Sequence, residues 1–291
     1  MLGKWFSLIV VILLLTLGVS LVTAHEEHAK VGPAVTIQFD AVVGDRPARC
    51  GMAYEGLGTG DSGVVLNDFR FFVSNVRLVS AAGEEVPVVL TQDGLWQYEN
   101  VALLDFEDGT AGCSEAGNSA LNNKISGEVP EGEYTGIVFD LGVPFELDHL
   151  DTTTAPAPLN IPAMWWNWQV GYKFVRIDLM TPEGALPAWF IHLGSTACKA
   201  ADGNTPPAEP CGNPNVSTIR LDGFNPAHNF VVADLAGLVA GVNLNENTPE
   251  PPGCMSMPMD PDCMTLFPGF GLNIVEGVTQ VADTQSFFRM Q

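Results

Sequence analysis

The chain has 291 residues, with 34 Asp or Glu against 12 Lys or Arg and a formal net charge of −22. So acidic a surface argues against nucleic-acid binding and against docking on anionic lipid, since both need positive charge. With 46% hydrophobic residues the chain can bury a substantial core, and its length suits one large β domain or two small ones.

Residues 1–24 read as a secretory signal peptide. Lys4 supplies the positive start, an apolar run covers residues 6–22, and Val22-Thr23-Ala24 places small residues at a cleavage site. An uncleaved anchor is the alternative, because the run is almost long enough to span a bilayer. Residues 25–34 form a tail that opens HEEH. After cleavage, the free amine and imidazole of His25 would sit together at the terminus, beside His28.

Residues 35–291 show no clean boundary and read as a single β-rich domain. Strands are expected at residues 35–39, 69–80, 86–90, 134–141, 166–179 and 188–193, separated by the turn signals AAGEE, PEGEY and TPEGALP. Many short strands with this punctuation indicate an all-β, sandwich-like fold with long loops at residues 151–162 and 200–214. Two short helices are expected towards the C-terminus, in VVADLAGLVAGVNL (231–244) and after Pro261.

Six cysteines in an exported chain favour disulfides over a thiolate metal site, and no CxxC is present. Fifteen pairings are possible. Proximity along the chain suggests Cys198–Cys211 and Cys254–Cys263, which leaves Cys50–Cys113.

Three indoles fall within MWWNWQVGYKF, residues 164–174. On one extended strand Trp166, Trp168, Val170, Tyr172 and Phe174 would share a face, opposite Trp165, Asn167 and Gln169. Such a ladder ordinarily packs a core, yet two neighbouring indoles are also oxidisable. The internal histidines are His149 (FELDHLD), His192 (WFIHLGS) and His228 (NPAHNF), and imidazole suits copper or zinc. Met255, Met257 and Met259 lie in CMSMPMDPDCM. Their thioethers suit Cu(I), although Met also fills irregular gaps. No GxSxG, HExxH, P-loop or dinucleotide fingerprint occurs, so no catalysis by this chain is expected.

Taken together, DFRFFVSNVRLV, VALLDFEDG, GVPFELDHLD with APLN, MWWNWQVGYKFVRID, FIHLGSTAC and CMSMPMDPDC resemble the MbnP-like family. That family is also described as the four-Cys-motif member of a "metallo-mystery pair". The resemblance spans roughly residues 35–272. It implies an exported, periplasmic protein of copper homeostasis whose partner is an MbnH-type di-haem protein of the MauG/cytochrome c peroxidase type. It further implies that the partner oxidises the first Trp of the WxW motif to kynurenine, and that the modified protein binds one Cu(I).

Here the WxW is Trp166-Asn167-Trp168, which makes Trp166 the residue to be modified, with Trp165 as an alternative target. His149 and His192 lie in matching motifs and are the expected imidazole ligands. Met255, Met257 and Met259 are accessory candidates. Two other accounts compete: a carbohydrate- or ligand-binding sandwich that stacks ligands on exposed Trp, and a hydrolase using Asp148 and Asp151.

Overall fold

Apolar residues spaced two apart put Ile37, Phe39, Ala41 and Val43 on the buried face of the strand Ala34–Val43. This computed structural model describes residues 32–115, 119–167, 169–182, 184, 187–202, 205–248 and 251–291. The expected signal peptide, the HEEH tail and Trp168 lie outside them.

Two sheets carry the fold. The smaller runs Phe288–Met290, Phe230–Asp234, Ala34–Val43, Lys124–Glu128, Val89–Leu90, with Arg46–Pro47 also on Ala34–Val43. The larger runs Ser217–Asp222, Tyr134–Leu141, Ser62–Ser80, Val175–Met180, Ala188–Leu193, Gly253–Cys254. The rings of Phe71 and Phe139, from the larger sheet, approach Phe39 of the smaller one at 6.2 and 5.9 Å. The two sheets therefore pack face to face around an aromatic core, as the sandwich-like reading requires.

Ser62–Ser80 organises the larger sheet, pairing antiparallel with five strands in turn. Its middle is buried on both faces: Phe69 and Phe71 point into the core, while Asp68, Arg70 and Phe72 point the other way and are covered too. Phe72 packs edge-on against Tyr172 at 5.9 Å.

The disulfides are Cys198–Cys211 and Cys254–Cys263, the pairs that proximity suggests, and Cys50–Cys113, the pair that they leave. Three such bonds belong to an oxidising compartment. Among the described residues no helix is long and apolar enough to cross a membrane.

Three expectations are corrected. Residues 86–90 do not form one strand: Glu85–Pro87 pairs with Ser62–Ser80, and Val89–Leu90 pairs with Lys124–Glu128 in the other sheet. Residues 231–244 are not one helix. Phe230–Asp234 is a strand beside Ala34–Val43, and only Leu235–Leu238 is helical, capped by the Asp234 carboxylate on the amides of Ala236 and Gly237. A short apolar run buried on both faces has no periodicity to separate strand from helix, and its β-branched residues favoured the strand. Nor do residues 166–179 form one strand: they fold into a hairpin and then a separate strand. The helix after Pro261 is present as Pro261–Leu266, and a further short one, Phe145–Asp148, was not anticipated.

Candidate metal centre

The Trp segment turns back on itself within five residues. Trp165–Asn167 pairs antiparallel with Gly171–Tyr172, with Trp165 opposite Tyr172. The Asn167 carboxamide oxygen accepts from the amides of Gln169 and Val170, an Asx turn that starts the reversal. Gly171 completes it at φ +85°, where a Cβ would also lie 2.4 Å from an Asp148 carboxylate oxygen. Tyr172 then donates its amide to Asp148 (2.9 Å) and its hydroxyl to the Leu159 carbonyl (2.5 Å).

The reversal undoes the expected aromatic ladder. Tyr172 is buried and Trp165 is partly buried against the core, whereas Trp166 faces a cleft of about 720 Å³. That cleft is also lined by Gln169, Cys198, Met255 and Met257. The six-membered ring of Trp166 lies over Gly194, where a Cβ would come within 2.4 Å of it. Its centroid is 6.3 Å from the His192 ring, and the Lys173 ammonium nitrogen is 6.0 Å from it on the cation–π side. Burial, with the charge of Arg176 adding to it, lowers the Lys173 pKa to about 8.

His192 is 7% exposed and is the penultimate residue of the strand Ala188–Leu193. Its Nε2 lies 2.7 Å from an Asp178 carboxylate oxygen, and its Nδ1 is buried with no hydrogen-bond partner. Burial holds the imidazole below its ordinary pKa despite Asp178, so the ring is neutral. Burial works against the Asp178 charge as well. The His192 hydrogen bond and the adjacent Arg176 override it and hold Asp178 at about 2. A neutral imidazole with one nitrogen tied to a carboxylate and the other free has the arrangement of a metal-ligating histidine.

Asp178 is itself braced. Arg176 bridges it to Asp68 (2.6 and 3.1 Å), and Asp68 pairs with the fully buried Arg70. The register that sets Arg176 opposite both Arg70 and His192 aligns these groups across three strands. Sequence reading missed this ladder. Its signal was present in the alternation of Asp68 with Arg70 and of Arg176 with Asp178.

His149 follows the helix Phe145–Asp148 and lies against a different group. Its Nε2 is 3.6 Å from the Cys211 sulfur and 3.6 Å from an Asp148 oxygen. The ligand atoms of His149, Cys198 and Cys211 fall within 4.8 Å of one another. The two sulfurs are joined in a disulfide, so they offer no thiolate as they stand. Cys198 nonetheless lines the Trp166 cleft, and Gln169 of the hairpin donates to the Cys198 carbonyl. His149 is therefore behind the Cys198 wall of the cleft, whereas His192 lies behind the Trp166 ring. His228 is exposed in a turn.

Asp148, one of the hydrolase candidates, is structural. It is 1% exposed and accepts from the Tyr172 amide and the Ser195 hydroxyl. Burial raises its carboxyl to about 8 against the lowering effect of both bonds. The unfolded chain releases this proton near 3.8 and the folded chain holds it to about 8, so stability is full below the lower value and falls as pH rises between the two. Asp148→Asn keeps an acceptor for Tyr172, and Ser195 keeps its second acceptor, the Pro214 carbonyl. Thermal melts across that window should show the variant with a shallower loss, and more stable than the native chain at the alkaline end. Parallel profiles for the two proteins would refute the assignment.

The family model for MbnP matches residues 32–256. Among solved structures, MbnP from Methylosinus trichosporium superposes with a TM-score of 0.77 at 30% identity, covering 89% of this chain and 98% of that one. A search of curated protein sequences finds no match. The cleft, the histidine behind Trp166 and the disulfide-stapled sandwich thus sit in a chain that belongs to the MbnP family.

Proposed function

We propose that this chain is a periplasmic Cu(I)-binding protein of copper homeostasis, with no catalysis of its own, that becomes competent when Trp166 is oxidised to kynurenine. One observation carries the reading. Trp166 is held against His192, whose buried Nδ1 has no hydrogen-bond partner, at the wall of an open cleft.

An indole N–H is a donor only and cannot ligate. Removing four electrons and adding two oxygen atoms breaks the C2–C3 bond of the ring. Hydrolysis then releases C2 as formate and leaves an aryl amine and a ketone. The two oxygen atoms come from two waters, which release four protons, and the four electrons leave through an MbnH-type di-haem partner to peroxide, which is reduced to water. His192 and the new nitrogen would hold Cu(I). His149 would join them by moving out from behind the Cys198–Cys211 bond. Asp178, bonded to Nε2, would fix the tautomer that leaves Nδ1 of His192 as the ligating atom.

Trp165 is the weaker candidate for oxidation because it packs against the core. The same packing weakens the ligand-binding alternative, which needs a platform of exposed indoles. Production with and without the di-haem partner tests the proposal. Only the co-produced protein should carry tightly bound copper and a Trp166 peptide with the mass of kynurenine. Equal copper in both, with intact Trp, would defeat it.

A further inference from the structure

We propose that Met255, Met257 and Met259 form a second, solvent-facing Cu(I) site that captures the ion and passes it inward to the Trp166–His192 centre. The inward step rests on the function proposed above. The capture site does not.

Every cysteine of the chain is consumed in a disulfide, so soft donors must come from thioethers. Met257 and Met259 are 58% and 74% exposed. Side chains so exposed do not serve as packing filler, the ordinary use of methionine. All three methionines line one cavity of about 250 Å³. Met255 and Met257 also line the larger cleft that Trp166 faces, so two of the three donors form a wall common to the outer and the inner site.

The loop is fixed in place for this. Cys254–Cys263 closes it, and Gly253–Cys254 runs parallel beside Phe190–Ile191 of the His192 strand. Ser256, buried between Met255 and Met257 at φ +66°, donates its hydroxyl to the His192 carbonyl and accepts the Gly194 amide, each at 2.9 Å. The methionine loop is thus bonded to the same two residues against which Trp166 packs. Neutral thioethers bind Cu(I) without a redox change. Transfer is an exchange of sulfur for nitrogen ligands, with copper remaining Cu(I) throughout.

The test begins with the full chain produced without the di-haem partner, titrated with Cu(I) against a chromophoric chelator and examined by X-ray absorption. One Cu(I) with a sulfur shell is expected. Met255→Leu/Met257→Leu/Met259→Leu, which conserves volume, should weaken it roughly tenfold or more, a cost of about 1.4 kcal/mol. Met257→Leu/Met259→Leu, confined to exposed positions, gives the same readout if the triple variant misfolds. In partner-matured protein the triple variant should reach full loading with nitrogen ligands, but about tenfold more slowly. No sulfur-bound copper in the unmatured chain, or equal affinity in the variants, overturns the capture site. Equal loading rates overturn the transfer. Sulfur-bound copper in the unmatured chain with no nitrogen-bound copper after maturation would instead count against the function proposed for Trp166.

Discussion

Trp166→Phe should fold and reach its compartment, but leave the cell without tightly bound copper. Phenylalanine keeps an apolar ring over Gly194 and beside His192, and the site is only partly buried. The stability cost should therefore be modest, about 1–2 kcal/mol. Copper affinity should fall much further. A phenyl ring has no nitrogen to release, so His192 loses the ligand that maturation would create. A loss of roughly three orders of magnitude, about 4 kcal/mol, is expected when the matured native and variant proteins compete with a Cu(I) chelator. Such a loss leaves the thioether site as the remaining binder, recognisable by its sulfur shell. If the variant is isolated with a full complement of nitrogen-bound copper, ring opening at this position is not required.

Asp68→Ala should give the largest loss of stability. Asp68 is 1% exposed and accepts from Arg70, itself 0% exposed, while Arg176 approaches one of the two oxygens that Arg70 holds. Burial raises the Asp68 carboxyl above its ordinary value, the charge of Asp178 adds to this, and the two guanidiniums offset only part of it. Removing one member of such a group strands buried positive charge, at a cost of about 3–5 kcal/mol. The fall in Tm should be on the order of 10 °C. The exposed pair Arg220–Glu85 at 3.2 Å provides the contrast: Glu85→Gln should change stability by less than about 1 kcal/mol. A small effect at Asp68, similar to that at Glu85, would mean that the ladder behind His192 does not brace it.

Much of this molecule can be read along its chain. Turn signals on either side of short runs of β-formers fixed the strands Tyr134–Leu141 and Ala188–Leu193 to the residue, because a run that brief between Gly- and Pro-rich turns is too short for a helix. Short separations singled out Cys198–Cys211 and Cys254–Cys263, since nearby cysteines meet at little cost in loop entropy. The motifs from Asp68 to Cys263 carried the family resemblance, which the MbnP match upholds.

Other features depended on contacts distant in sequence. Asn167 and Gly171 permit a turn, but the approach of Asp148 to Gly171 and Tyr172 decided that the Trp segment would fold back and present Trp166 to a cleft. Strand register alone aligned Arg70, Asp68, Arg176 and Asp178 behind His192 and left its Nδ1 free. Whether a histidine keeps an unpaired nitrogen depends on neighbours up to a hundred residues or more away, and no local pattern encodes that.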